Sequence, residues 1–332
     1  MSEMYRAESM VPGAVGATVK ARVDFRAKVR YRIFSLRPEE FVALLFFLPM
    51  AYFTFKAYLF FRQNGHIPNV FAGAVERFFV VLFAILVVWL IARYKPNWRV
   101  FRDALPFGFC IAIYTNLHDT VHFVNPHDIH DALIQMDAWL FGTQPCVWAQ
   151  QFIHPAFTEI FSFCYMIFFI FAPFVAAVLY LQKRYREFRY TLFSVIFCFY
   201  LGYVFYILFP AVPPRIILKP LFYIDFHGAL ITDAALKTVS ILPADSRCAF
   251  PSLHSAVTLL SLIFAWKYSK PAFWVMLPFC LGLLLSTVYL RHHYVVDLFA
   301  GFILTIFSFV VAPRIEDWWG KKRAKYNLAP LA

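Results

Sequence analysis

Tyr289-Leu290-Arg291-His292-His293-Tyr294-Val295-Val296-Asp297 opens the last long apolar run of this 332-residue chain, a run that continues to about Val311. Earlier in the chain Phe250-Pro251-Ser252-Leu253-His254-Ser255 stands in the same relation to another apolar run. Each polar cluster therefore sits at the mouth of a long apolar segment. In the later cluster His293 and Asp297 are four apart, so on a helix they share a face and the carboxylate can reach the imidazole. A carboxylate that fixes the tautomer of a histidine frees the other ring nitrogen to act as base or nucleophile. In the earlier cluster Pro251-Ser252 reads as a helix start, where free backbone N–H groups favour an anion and Ser252 would help to cradle it. One activated histidine, a second histidine and an anion cradle together suggest phosphoryl transfer.

Composition fixes the surroundings of that chemistry. Hydrophobic residues make up 61% of the chain and charged residues 15%, against roughly 25% charged in soluble domains. A chain this apolar must be solvated by lipid. The net charge of +12 comes in short basic runs between apolar segments, which is the pattern of membrane topology and weakens a nucleic-acid reading.

Apolar segments run over about 40–61, 75–91, 101–114, 157–181, 190–209, 251–266, 272–289 and 295–311. The expected fold class is all-α, a polytopic integral membrane helical bundle with about eight transmembrane helices. The expected organisation is a basic tail over 1–38, two accessory helices over 39–100, a membrane core over 101–313 and a second basic tail over 314–332. No short apolar segment with a cleavage site marks a secretory signal peptide. Lys and Arg collect in the first tail, around Arg93–Arg102, at Lys183, Arg184, Arg186 and Arg189, at Lys267 and Lys270, and in the last tail. By the positive-inside rule both termini are cytoplasmic and both histidine clusters face the opposite side. The loop holding Arg215, Lys219, Lys237 and Arg247 breaks the charge pattern on that opposite side. Within Pro210-Ala211-Val212-Pro213-Pro214-Arg215 the prolines stiffen the chain, which suits a guanidinium held for bidentate phosphate binding.

Pro213-Pro214-Arg215, Phe250-Pro251-Ser252-Leu253-His254-Ser255 and the Tyr289–Asp297 stretch resemble, in order and spacing, the three motifs of the type-2 phosphatidic acid phosphatase superfamily. The Pro-Ser-Leu-His and Tyr-Leu-x-His-His-Tyr-x-x-Asp forms, with Met136-Asp137-Ala138-Trp139-Leu140-Phe141-Gly142, resemble its inositol phosphorylceramide synthase branch. The resemblance implies a six-helix core and a phosphohistidine mechanism without a cofactor or metal. It makes His293 the nucleophile, Asp297 its orienting partner, His254 the general acid and Arg215 a phosphate ligand. It implies a membrane phospholipid as substrate and ceramide as acceptor. Simple hydrolysis of a lipid phosphate, such as phosphatidic acid or a polyprenyl or sphingoid phosphate, is the alternative. Two cations usual in the superfamily are missing: Leu208 stands seven residues before Arg215, and Thr287 follows Ser286. Arg247 and Arg291 are the candidates to replace them at the phosphate.

A rival reading takes His118, His122, His127, His130, His292 and His293 as boxes of a membrane di-iron oxygenase, since four-residue spacing suits metal ligation on a helix. The boxes are few, and by the charge pattern they face away from the cytoplasm, unlike desaturase-type boxes. Lys56, alone within the first span, is too little for a transporter's ion path. Four cysteines fall in apolar spans; Cys146 and Cys248 both fall outside them, on the side where oxidation is possible.

The topology is testable in a background lacking the six native cysteines. An Asp233→Cys variant should react with an impermeant thiol reagent in intact cells, and a Gln182→Cys variant should not. The reverse pattern would invert the orientation.

Overall fold

The computed structural model describes residues 25–63, 106–110, 124–241 and 247–331, with scattered helical positions between 79 and 121. The first 24 residues, most of the expected spans over 75–91 and 101–114, and His118 and His122 lie outside the described residues. Among the described residues the architecture is all-α, without a strand; Ala211 and Cys248 form an isolated bridge. After a helical stretch over residues 25–35 the long elements are α1 (Pro38–Gln63), α2 (His130–Phe141), α3 (Pro155–Met166), α4 (Phe168–Leu181), α5 (Tyr185–Leu208), α6 (Leu230–Ile241), α7 (Leu253–Tyr268), α8 (Lys270–Tyr289) and α9 (Val295–Ala324).

Three of the described helices, α5, α8 and α9, are long and apolar enough to cross a membrane. The expected span over 157–181 is instead two helices, α3 and α4, bent by 48°, which together would make a fourth crossing. The break falls at Ile167, shortly before Pro173, whose ring cannot donate to the Phe169 carbonyl. Helix α7 has 16 residues, about 24 Å at the helical rise, less than the roughly 30 Å hydrocarbon core. It packs against α4, α5, α8 and α9, and its Ala256, Val257, Leu260, Phe264 and Ala265 are buried. The expected eighth span runs on as helix to Ala324.

Outward faces are apolar. Trp274, Val275, Leu281 and Leu285 on α8, and Phe299, Ile303, Ile306 and Phe307 on α9, are all exposed. Polar groups go inward instead: Ser194 and Thr191 on α5 and Ser255, Thr258 and Ser261 on α7 are buried. This inverted pattern is what hydrocarbon solvent selects. Inside, small residues let helices approach closely. A Cβ on Gly301 of α9 would lie 2.6 Å from the Ser252 carbonyl oxygen and against the Ser255 hydroxyl. One turn on, the Thr305 hydroxyl donates to the Ala256 carbonyl at 2.9 Å.

At the far end of the bundle from the two motif clusters, a buried ion triad ties α1, α5 and α9 together. Arg189 donates to Glu39 through Nη1 at 2.6 Å and Nη2 at 2.9 Å, and through Nε to Glu316 at 2.9 Å. Trp319 and Arg323 of α9 donate to the carbonyls of residues 34–36. All six cysteines are free and buried, and Cys146 and Cys248 lie in separate apolar clusters.

Removing one partner of a buried ion cluster leaves uncompensated charge. Arg189→Ala should therefore cost about 3–5 kcal/mol, read as a large fall in thermal midpoint in detergent; a midpoint unchanged from wild type would contradict the assignment.

Candidate active site

The three motifs are stitched together by backbone. The loop after α5 pairs with the segment before α7, Ala211 N–H donating to Arg247 O at 3.1 Å and Ala249 N–H to Ala211 O at 3.0 Å. Arg215 N–H donates to Arg291 O at 2.9 Å, and Ser252 N–H to Asp297 O at 3.1 Å. The Tyr294 hydroxyl donates to Val212 O at 3.1 Å. After α8 the chain turns through Arg291, whose φ is 64°, a left-handed conformation uncommon outside glycine. That turn lets His292 and His293 both donate their N–H groups to Thr287 O, at 2.8 and 3.0 Å. The two rings then project into one buried space.

His293 sits between two partners. Its Nδ1 is 3.3 Å from Asp297 Oδ2, and its Nε2 is 3.2 Å from His254 Nδ1. Asp297 Oδ2 already accepts Tyr294 N–H at 3.1 Å, so it faces His293 as an acceptor, which places the proton of neutral His293 on Nδ1 and leaves the lone pair on Nε2. That lone pair accepts from His254 Nδ1–H. The relay thus presents a nitrogen lone pair and an N–H donor side by side.

Arg215 Nη1 lies 3.1 Å from His292 Nδ1. A guanidinium only donates, so His292 Nδ1 carries the lone pair and the ring proton is on Nε2. The Tyr165 ring stacks on His292 at 4.4 Å and on His254 at 4.8 Å between centroids, and Phe168 lies 4.5 Å from His254. These two aromatics flank the break between α3 and α4, so the break builds one wall of the site. Neither Tyr165 nor His292 was singled out by sequence for a role here. His292 had a signal, its place beside His293; Tyr165 is one aromatic among many in an apolar run.

Burial, and then the Arg215 charge, hold His292 well below the ordinary histidine value and push His293 down to about 3. Both rings are neutral at pH 7, as a nucleophile must be. Burial also lowers Arg215, but a guanidinium keeps its charge in proteins.

Structure brings His254, His293, Asp297 and Arg215 together. Ser252 is buried beneath them as the N-cap of α7, its hydroxyl accepting Ser255 N–H at 3.2 Å. Arg247 and Arg291 are engaged elsewhere. Arg247 pairs with Asp128 at 3.1 Å. The Arg291 guanidinium lies 3.9 and 4.4 Å from the ring centres of Phe222 and Phe226 and donates to Ile224 O at 2.6 Å. His130 lies between Asp128 and Asp131, 3.8 Å from each. Among the described residues no three His, Cys, Asp or Glu side chains converge as a metal site.

The sequence profile of the PAP2 superfamily matches residues 131–311, more than half of the chain. No curated protein and no solved structure matches it.

The depressed histidines link stability to pH. Between about 3 and the unfolded value of about 6.5 the unfolded chain binds protons that native His293 does not, so stability falls as pH falls. The thermal midpoint in detergent should drop from pH 7 to pH 4, and His293→Gln should flatten that slope. A wild-type midpoint independent of pH would contradict the buried neutral state.

Proposed function

The chain belongs to the PAP2 superfamily, a family of membrane phosphatases and phosphotransferases, and on that footing we propose that it is a metal-independent lipid phosphotransferase acting through a phosphohistidine. The observation that carries this reading is the relay from His254 through His293 to Asp297, with the Arg215–His292 pair beside it. The substrate is a phospholipid with a phosphodiester headgroup, such as phosphatidylinositol, and the acceptor is the hydroxyl of ceramide.

His293 Nε2 attacks phosphorus. An N–P bond forms, the P–O bond to the diacylglycerol oxygen breaks, and that oxygen takes a proton from the imidazolium form of His254, which is left as the neutral ring. Asp297 keeps hold of Nδ1–H and stabilises the ring as it gains positive character. Arg215 and His292 Nε2–H donate to the non-bridging oxygens as charge builds there. In the second half the acceptor hydroxyl attacks phosphorus, its proton passes to His254, and the N–P bond breaks. The phosphoryl group enters between His254 and His293, whose facing nitrogens are 3.2 Å apart.

The surroundings support a lipid substrate. A cavity of about 370 Å³ lies between α5 and α9, lined by Leu201, Phe205, Ile303 and Phe307 and by Phe250 and Pro251 of the second motif. It is wholly apolar in character and adjoins the residue pair that leads into His254, so it suits an acyl chain. Burial of His292 and His293 limits water at the phosphorus, which favours an alcohol acceptor over hydrolysis. By the charge pattern of the loops the site opens on the non-cytoplasmic face.

Purified protein in vesicles given headgroup-labelled phosphatidylinositol and ceramide should move the label into a ceramide lipid and release diacylglycerol. Label appearing only as water-soluble phosphate would make the protein a phosphatase. His254→Ala should slow reaction of a lipid phosphate far more than that of an aryl phosphate, whose leaving oxygen needs no proton. Equal losses for the two would reduce His254 to a binding or packing role.

A further inference from the structure

Helix α2 buries one carboxylate. Asp137 is 1% exposed, although Met136, Trp139, Leu140 and Phe141 around it are exposed. Its Oδ2 accepts Val295 N–H at 2.9 Å and its Oδ1 accepts Val296 N–H at 3.0 Å. These are the first two amides of α9, and no carbonyl within that helix can reach them. Asp297 lies on the same turn. Its Oδ2 accepts Tyr294 N–H at 3.1 Å and holds His293 Nδ1 at 3.3 Å, while its Oδ1 is buried without a hydrogen-bond partner. Two carboxylates far apart in sequence thus divide the donors at one helix start. One takes the two helical amides; the other keeps the histidine.

We propose that Asp137 is a positioning residue: by taking the Val295 and Val296 N–H groups it reserves the Asp297 carboxylate for His293. Without Asp137 those two amides lose their partner at a partly buried helix start, which is costly. The free oxygen of Asp297 is an acceptor on the same turn. A carboxylate that swings to satisfy the amides releases His293 Nδ1, and with it the tautomer that leaves the Nε2 lone pair facing the phosphorus. Helix α2 belongs to the catalytic machinery in this sense, though no atom of Asp137 touches the histidines.

The inference rests on the phosphohistidine reading, and its test separates the two. Rapid mixing with phosphorus-labelled phosphatidylinositol gives both the amount of phosphoenzyme per protein, which counts competent sites, and the rate at which it forms. Asp137→Ala should slow formation about 100-fold, the scale of a small misplacement of a reacting group, with KM little changed. Asp137→Asn, which keeps one acceptor and the shape, should fall between Ala and wild type.

The second substitution gives the distinctive result. Pro is favoured at the first helical position, and Tyr294 before it already has φ −72° and ψ 155°, the conformation a residue before proline prefers. Val295→Pro deletes one competing amide. In the Asp137→Ala background it should therefore restore the rate by about threefold or more, a non-additivity that a simple helix cap would not give. An unchanged rate of formation in Asp137→Ala and Asp137→Asn, or a further loss on adding Val295→Pro, would overturn the proposal. So would fewer competent sites whose rate stays normal, because that is a stabilising cap alone. A wild-type protein that turns over without any phosphoenzyme would sink the phosphohistidine reading itself.

Discussion

How closely α9 can lie against the first turn of α7 decides whether the motif histidines meet. At Gly301 a side chain would meet the Ser252 carbonyl and the Ser255 hydroxyl. The hydrogen atom in its place lets the two helices touch backbone to backbone. Ser252 N–H then reaches Asp297 O, and the Ser255 hydroxyl donates back to Ser252 O at 2.9 Å. With the two helix starts held together, His254 on one and His293 just before the other come within a hydrogen bond. Hydrocarbon solvent gives no hydrophobic drive to press helices together, so close packing of small residues and buried hydroxyls has to supply the contact.

The electronic state of the site follows from the same contacts. Each ring nitrogen faces a partner whose donor or acceptor role is fixed: carboxylate for His293 Nδ1, guanidinium for His292 Nδ1. The tautomers are therefore set by structure rather than by pH. Burial keeps the rings neutral, and it strengthens the attraction between the Arg215 guanidinium and a phosphate. The usual superfamily lysine and arginine are replaced by Leu208 and Thr287. Beside Arg215 the structure places a neutral ring, His292, 3.1 Å from its guanidinium. Thr287 instead contributes the carbonyl that orients the two histidine backbones.

Much of this was legible in the sequence because it is local. Polar clusters at helix mouths, the four-residue step from His293 to Asp297 and the run from Pro210 to Arg215 all lie within a few residues of one another. Membership of the superfamily was readable from those motifs; the synthase branch stands as a proposal. The count of eight spans was less secure, since apolar length alone does not show that Phe157–Leu181 breaks at Ile167 or that α7 is a short helix enclosed by its neighbours. Long-range partners left no signal. Nothing near Arg189 predicts Glu39 and Glu316, and nothing near Arg247 and Arg291 predicts the Asp128 carboxylate or the Phe222–Phe226 sandwich against which they lie. Asp137 lies in the Met136–Gly142 stretch that carries the branch resemblance, yet its partners lie on another helix.

The central claim is that the lone pair on His293 Nε2 becomes bonded to phosphorus. The most direct measurement is to quench the protein during turnover of phosphorus-labelled lipid and map the label by peptide mass spectrometry. The account predicts an acid-labile, alkali-stable phosphoryl group on His293, absent along with turnover in His293→Ala. Label on another residue, or full turnover in His293→Ala, would contradict it.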